Sequence, residues 1–380
     1  MCLLCAGALS AGCDVTVLTR RSSAELPADD WVGAVPVRRI GQGGPGQVRK
    51  WGLVLAGLPA LIRLRHACDL LFVSGFRMLG IPAVLFAQLF GKPVVLKADS
   101  AGEMSGEYFT AGLVRHGLSL QHWPVRHLLA LRNALFRRAD AFVAISAEAA
   151  GELHAAGIDP SRIHRIPNAV DTTRFRPTSA ERKCALRRTL GLPQTAQVIV
   201  YTGRLVSYKG LPLLLDVWPG LLAAHPHALL LFVGTGGLDI HACEAQLRAA
   251  VREQGLDNSV RFTGSVDNVV DFLHAADVFA FPTENDVFPS AVVEAMACGL
   301  PLVTTPVGAI KEIIEDGRNG LLVAPRDGNA LSRALNRLLG DRELASRLGE
   351  GALQTVLQRY SAMHVMRCYA ALFRRVAGHG

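Results

Sequence analysis

The chain has 380 residues, half of them hydrophobic, and a net charge of +8 from 40 Lys/Arg against 32 Asp/Glu. That length exceeds one ordinary core and suits two domains of about 150–200 residues each. A mean hydropathy of +0.27 fits parallel strands buried on both faces and argues against a disordered or fibrous chain.

The first half is the basic one, with 18 Lys/Arg against 12 Asp/Glu in residues 1–167 and 22 against 20 in the remainder. Its basic residues are scattered and carry no RNA- or DNA-binding signature, so nucleic acid is not an expected partner. A basic, apolar domain can instead lie on an anionic membrane and take a lipid-linked acceptor, or simply present a solvated basic face. The opening M-C-L-L-C-A-G-A-L-S-A-G-C resembles a leader in its apolar run and small residues. It lacks a basic start, however, and flows directly into the strand pattern D-V-T-V-L-T-R-R. Apolar periodicity then predicts strands over 14–19 and 34–40, helix 47–66, strand 69–74, helix 78–90 and strand 93–98. A mobile stretch over 99–123 follows, and then helix 124–138, strand 140–145 and helix 147–156. The glycine run 41–46 contains Pro45 and reads as a connection rather than a phosphate cradle. Leu70–Phe90 is long and apolar, but Gly75, Arg77, Gly80 and Pro82 interrupt it, so it reads as strand, turn and helix rather than a membrane span. Eight dispersed cysteines, with only Cys2-x-x-Cys5 closely spaced, point to reduced thiols in a cytosolic protein.

In the second half, V-I-V-Y-T-G-R-L-V-S-Y-K-G (Val198 to Gly210) is an apolar strand, a turn at Gly203, and then Arg204 and Lys209. Two cations converging at a strand's carboxyl end can neutralise a pyrophosphate. L-L-L-F-V-G-T-G-G (Leu229 to Gly237) is another strand, ending in Gly234 and Gly236, where backbone can approach a ligand closely. Strand and helix patterns continue to alternate, which predicts a doubly wound parallel sheet with ligand sites off the carboxyl ends of its strands. D-V-F-P-S-A-V-V-E (Asp286 to Glu294) sets two carboxylates eight positions apart across a helix start near Pro289 and Ser290. Unpaired amides and the macrodipole at that end favour an anion such as phosphate. Glu294, one turn in, can accept hydrogen bonds from the vicinal hydroxyls of a ribose, while Asp286 faces the other side of the anion. The same pair also reads as a solvated loop Asp and a helix-end Glu. Asn168 and Asp171 read as an Asx-type hinge turn.

Taken together, I-P-N-A-V-D-T-T-R-F-R-P, G-R-L-V-S-Y-K-G, V-G-T-G-G, D-x7-E-A-M-A-C-G-L-P and V-G-A-I-K-E-I-I-E-D-G-R-N-G-L-L-V, in this order from Ile166 to about Pro325, resemble the nucleotide-binding half of the family 4 retaining glycosyltransferases. The resemblance implies the GT-B fold, an α/β architecture of two facing Rossmann-like domains. These would be residues 1–167, rejoined by a crossing helix at 356–380, and residues 168–355, with an amphipathic basic tail from about Leu353 to Val376. It further implies that Arg204 and Lys209 hold the donor pyrophosphate, that Glu294 binds the ribose, and that Asp286 meets the transferred sugar beside the amides of Val287 and Phe288. Gly203, Gly234, Gly236, Pro289 and Ser290 would complete the donor site. Asp286 stands where the family usually has Glu, so its reach is shorter by one methylene.

Two further departures stand out. Aligned on Gly12-Cys13-Asp14-Val15, the family's first strand and Gly-rich loop fall before Met1, which implies an upstream start or an impaired product. Ala98 and Asp99 stand where many relatives place a His, and Asp99 is the acceptor-side candidate. The expected activity is hexosyl transfer from a nucleotide-diphosphate sugar to a sugar or lipid-linked hydroxyl, in cell-surface polysaccharide or glycolipid synthesis on the cytoplasmic side. No metal is expected, because Arg204 and Lys209 supply the charge. The alternatives are a nucleotide-sugar-binding GT-B protein without turnover and, against the D-x7-E block, a sugar-nucleotide epimerase.

Overall fold

In the computed structural model, which describes residues 12–21, 23, 25–41, 47–100, 102–107, 119–237 and 239–378, the chain forms two units: Met1–Pro167 with Ala362–Gly380, and Asn168–Ser361. The expectations for Met1–Ser10, for 42–46 and for most of the stretch preceding Ser119 lie outside the described residues.

The first unit contains a sheet of β1 (Val17–Arg20), β2 (Asp29–Val32) and β3 (Val35–Ile40), ordered β1-β3-β2. β1 and β3 are parallel, and β2 folds back antiparallel on β3. The sequence reading lacked β2, because D-D-W-V is polar and largely exposed and offers no buried alternation. After α1 (Gln47–Arg63) comes a second sheet of β4 (Leu71–Ser74), β5 (Val94–Ala98), β6 (Ala141–Ala144) and β7 (Ile163–Arg165), parallel throughout in the order β4-β5-β6-β7. Every residue of β5 and β6 is buried, as helices on both faces of a parallel sheet require. α2 (Phe76–Phe90) and α3 (Trp123–Phe136) meet over Phe76 and Phe136, edge to face at 5.2 Å, with Phe142 of β6 beneath at 6.3 Å. α4 (Ala147–Ala155) is capped by Ser146, whose Oγ accepts from the Ala149 amide.

The second unit is one six-stranded parallel sheet of β8 (Gln197–Thr202), β9 (Ala228–Val233), β10 (Val260–Gly264), β11 (Val278–Phe281), β12 (Leu302–Thr304) and β13 (Leu321–Leu322). Its order is β10-β9-β8-β11-β12-β13, so the winding reverses between β8 and β11. α5 (Ala180–Thr189) is fastened to the sheet by Asp277, just before β11. The Asp277 carboxylate pairs with Lys183 and Arg187 at 2.6 Å each and accepts from the Val198 amide at 2.7 Å. α10 (Ser290–Ala297) follows β11 and packs against the long α13 (Arg342–Arg359). The tail is not one helix. It breaks at Tyr360, whose carbonyl accepts from the Val170 amide at 2.9 Å, and resumes as α14 (Ala362–Val376) in the first unit. There Tyr369 and Phe373 pack edgewise on Phe72, each at 5.5 Å.

Asp277→Ala would leave the buried Arg187 without its carboxylate. The pair is about one-third exposed on the acid side, so we expect a loss of about 2 kcal/mol, below the ~3–5 typical of fully buried pairs. Urea denaturation checks it, and an unchanged midpoint would show that α5 is held by other contacts.

Candidate active site

The winding reverses between β8 and β11, which is where sheets of this kind place ligands, off the carboxyl ends of the strands. From β8 come Gly203, Arg204 and the one-turn segment Ser207–Lys209. From β11 comes the loop 282–289, which runs into α10. The two loops are pressed together: the Tyr208 carbonyl accepts from the Glu284 amide at 2.8 Å and from Thr283 Oγ1 at 3.3 Å. Gly210 makes this possible. Its φ is 71°, and a Cβ there would lie 1.9 Å from the Pro282 carbonyl oxygen.

The charges lie on these loops. Lys209 is 9% exposed; its Nζ pairs with Asp286 Oδ2 at 2.6 Å and donates to the Asn285 carbonyl at 3.2 Å. It also lies over the rings of Tyr208 and Phe281, at 5.3 and 5.4 Å. Arg204 pairs with Asp239 and donates from Nη2 to the Tyr208 hydroxyl at 2.8 Å. Asp239 was missed by the sequence reading: it lies in a turn 35 residues away, with no periodic signal. Gly234 and Gly236 bring backbone against backbone, since a Cβ on them would lie 2.0 Å from the Gly203 carbonyl oxygen and 2.9 Å from that of Leu205.

α10 begins at Ser290 after Pro289, with no side-chain cap. The loop before it is seated by a residue pair that the sequence reading had not assigned to the site. The Ala309 amide donates to the Val287 carbonyl at 3.2 Å, and a Cβ on Gly308 would lie 1.7 Å from the Asp286 carbonyl oxygen. Phe288 is buried, its ring 6.2 Å from Tyr360. Glu294 is half-buried on α10, and burial pushes its carboxyl up to about 7, opposed by the charge of Arg174. One turn on, burial and the Glu294 charge push the Cys298 thiol up to about 12. Arg174 comes from the T-R-F-R-P segment, and Glu284 is clamped by Arg326 through two bonds of 2.8 and 2.6 Å. Neither the charge of Arg174 acting on Glu294 nor the Arg326 clamp was legible from spacing.

Asp99 belongs to the first unit, at the carboxyl end of β5. Both of its oxygens are engaged, Oδ2 by Ser74 Oγ and Oδ1 by Lys97 Nζ, each at 2.5 Å. The Gly102 amide donates to Glu152 at 2.8 Å, as do those of Met104 and Ser105 at 2.9 and 3.1 Å. Nearby Glu103 is fully buried, and burial pushes its carboxyl up to about 7 against the opposing charge of Arg77. Among the described residues, no group of three or more His, Cys, Asp or Glu is placed to hold a metal ion.

Residues 1–174 match the family described as Glycosyltransferase Family 4, and residues 183–355 match the family described as Glycosyl transferases group 1. Among curated relatives, D-inositol 3-phosphate glycosyltransferase 2 of Catenulispora acidiphila is 32% identical over 224 residues, covering 57% of this chain and 52% of that protein. D-inositol 3-phosphate glycosyltransferase 1 of the same organism is 29% identical over 354 residues, covering 90% and 82%. The chain spans about half the length of several of the curated relatives it matches. Among solved structures, sucrose-phosphate synthase of Thermosynechococcus elongatus superposes with a TM-score of 0.79 at 23% identity, covering 99% of this chain and 92% of that one. The HepE protein of Anabaena, in complex with UDP-glucose, gives 0.73 at 19%, covering 95% and 99%. The fold is GT-B, with two Rossmann-like domains.

Two substitutions check the site's construction. Gly308→Ala must displace the Asp286 carbonyl, so we expect a loss of about 2 kcal/mol or more in urea denaturation; a neutral result would show that the loop is not seated there. Because the folded Glu294 carboxyl sits above its ordinary value of 4.5, the stability it contributes is full below that pH and is lost as pH rises through about 7. Glu294→Gln should therefore be more stable than the parent above pH 7 and lose this advantage in acid. An advantage independent of pH would contradict the burial argument.

Proposed function

Because the chain belongs to glycosyltransferase family 4, we propose that it transfers a sugar from a nucleoside-diphosphate sugar to a hydroxyl acceptor, with retention of anomeric configuration. The observation that carries this reading is the cluster at the β8/β11 reversal, where Lys209 and Asp286 pair at 2.6 Å beside the uncapped start of α10, which also bears Glu294. Lys209 and Arg204 exchange their carboxylate partners for the donor diphosphate. The α10 amides add the helix's positive end, Glu294 takes the ribose hydroxyls, and Asp286, freed from Lys209, meets the transferred sugar beside Val287 and Phe288. Gly203, Gly234 and Gly236 keep the flanking backbone close.

In the reaction, the bond from the sugar's anomeric carbon to the diphosphate oxygen breaks and the acceptor oxygen bonds to the same face of that carbon. The acceptor's proton passes to the departing phosphate. Cations and helix amides stabilise the charge growing on the leaving group, which is the main catalytic lever in such a site, and these groups supply the charge without a metal. Asp99 of the first unit is the acceptor-side group. HepE was crystallised with UDP-glucose, which makes that donor the first probe. The excess of 18 Lys/Arg over 12 Asp/Glu in residues 1–167 supports peripheral contact with an anionic membrane and a sugar or lipid-linked acceptor, as in polysaccharide or glycolipid synthesis.

With a working donor, Lys209→Ala and Arg204→Ala should each lower turnover roughly a hundredfold or more. Near-normal rates in both would discard the diphosphate role, and donor binding by the parent without any turnover would make it a binding protein. Donor affinity should rise with pH through about 7 as Glu294 ionises to accept the ribose hydroxyls. Calorimetry should find that rise missing in Glu294→Gln.

A further inference from the structure

We propose that the groove between β7 (Ile163–Arg165) and α14 (Ala362–Val376) binds a soluble phosphate monoester, at a site separate from the donor cluster. Both elements belong to the first unit, and β7 is the edge strand of its four-stranded sheet. The groove has a volume of about 460 Å³; His164, Arg165, Arg375 and Cys368 line it, with Ile163 and Leu372 in its apolar wall. Its charge is of one sign. No Asp or Glu occurs in residues 160–170 or 361–380.

At the centre of the groove, Arg375 Nη2 lies 3.0 and 3.1 Å from the two ring nitrogens of His164, across 211 positions of the chain. It straddles the ring rather than ending on one lone pair. Among the described residues, neither side chain meets a carboxylate. Burial, and then the Arg375 charge, push the His164 imidazole below its ordinary 6.5. Above neutral pH it is therefore uncharged, and it offers one N–H beside a permanent cation. A solvated basic face would let two such groups stand apart. Held in contact with no acid between them, they form an arrangement that an anion completes, because a cleft lined by one sign of charge concentrates counter-ions. The guanidinium fork matches two oxygens of a phosphate, the imidazole N–H serves a third, and the exposed Arg165 adds positive charge at the rim. Beside Ile163 and Leu372 a short organic stem leaves water, which favours an ester over inorganic phosphate. This inference goes beyond sugar transfer and does not depend on it, since no residue of the groove comes from the second unit.

The test is calorimetric titration of phenyl phosphate into the full chain, with excess UDP present to occupy the donor site. Phenyl phosphate should bind more tightly than inorganic phosphate or benzoate. Arg375→Gln combined with His164→Ala should weaken it roughly tenfold or more, with circular dichroism unchanged. Its position is read from Cys368, a half-buried thiol on the groove wall. Saturating phenyl phosphate should slow alkylation of Cys368 by iodoacetamide, while the exposed Cys184 of the second unit reacts as before. Lys209→Ala should bind phenyl phosphate as the parent does, so a failure of the donor reading would leave this site standing. The proposal falls if phenyl phosphate does not bind the parent, if the double variant binds it as tightly, or if the bound ester leaves Cys368 alkylation unchanged. Protection of Cys368 by phosphatidate vesicles but not by the dissolved ester would overturn the soluble ligand.

Discussion

Lys209 stands at the point on which the second unit's candidate site depends. A lysine this buried must find a compensating charge, because an ammonium withdrawn from water is costly unless it is paired and hydrogen-bonded. Asp286 supplies that charge at 2.6 Å, the Asn285 carbonyl adds a second bond, and two aromatic rings cover the rest. The residues around the pair are disposed to make it possible: Gly210 lets the β8 loop reach Pro282, and Gly308 lets the Asp286 loop settle against the segment after β12. The pair therefore couples the two loops that leave β8 and β11.

A buried pair of this kind is weak evidence for stability, since an apolar pair of similar volume often does as well. On the proposed reading, it holds a desolvated cation where the donor diphosphate binds. Arg204 is held more loosely, largely exposed and paired with Asp239, so the two cations differ in how far each is set in place beforehand.

Much of this was legible in the sequence, for identifiable reasons. Strands such as V-I-V-Y-T and V-V-L-K-A are continuous apolar runs because both faces of a parallel sheet are covered, and their ends fell within a few residues of those observed. The D-x7-E spacing placed Asp286 on a loop and Glu294 one turn into a helix, as found. What stayed hidden depends on distance in the chain. Asp239 reaches Arg204 across 35 positions and Arg326 reaches Glu284 across 42, and neither leaves a periodic trace. Glu103 looks like part of a polar turn, yet it is fully buried against Arg77 and Ser100. The break at Tyr360 was invisible because R-Y-S-A contains no Gly or Pro; it arises from the bond to Val170 and the ring contact with Phe288.

On the proposed reading, Lys209 exchanges Asp286 for the donor diphosphate. Calorimetric titration of UDP into Asp286→Asn tests it most directly, because the substitution keeps the shape of the side chain while removing the charge that competes for the lysine. The account predicts that UDP binds the variant at least as tightly as the parent, and severalfold tighter at low salt, where competition between charges is least screened. Clearly weaker UDP binding in Asp286→Asn, with the variant folded as the parent is, would contradict it.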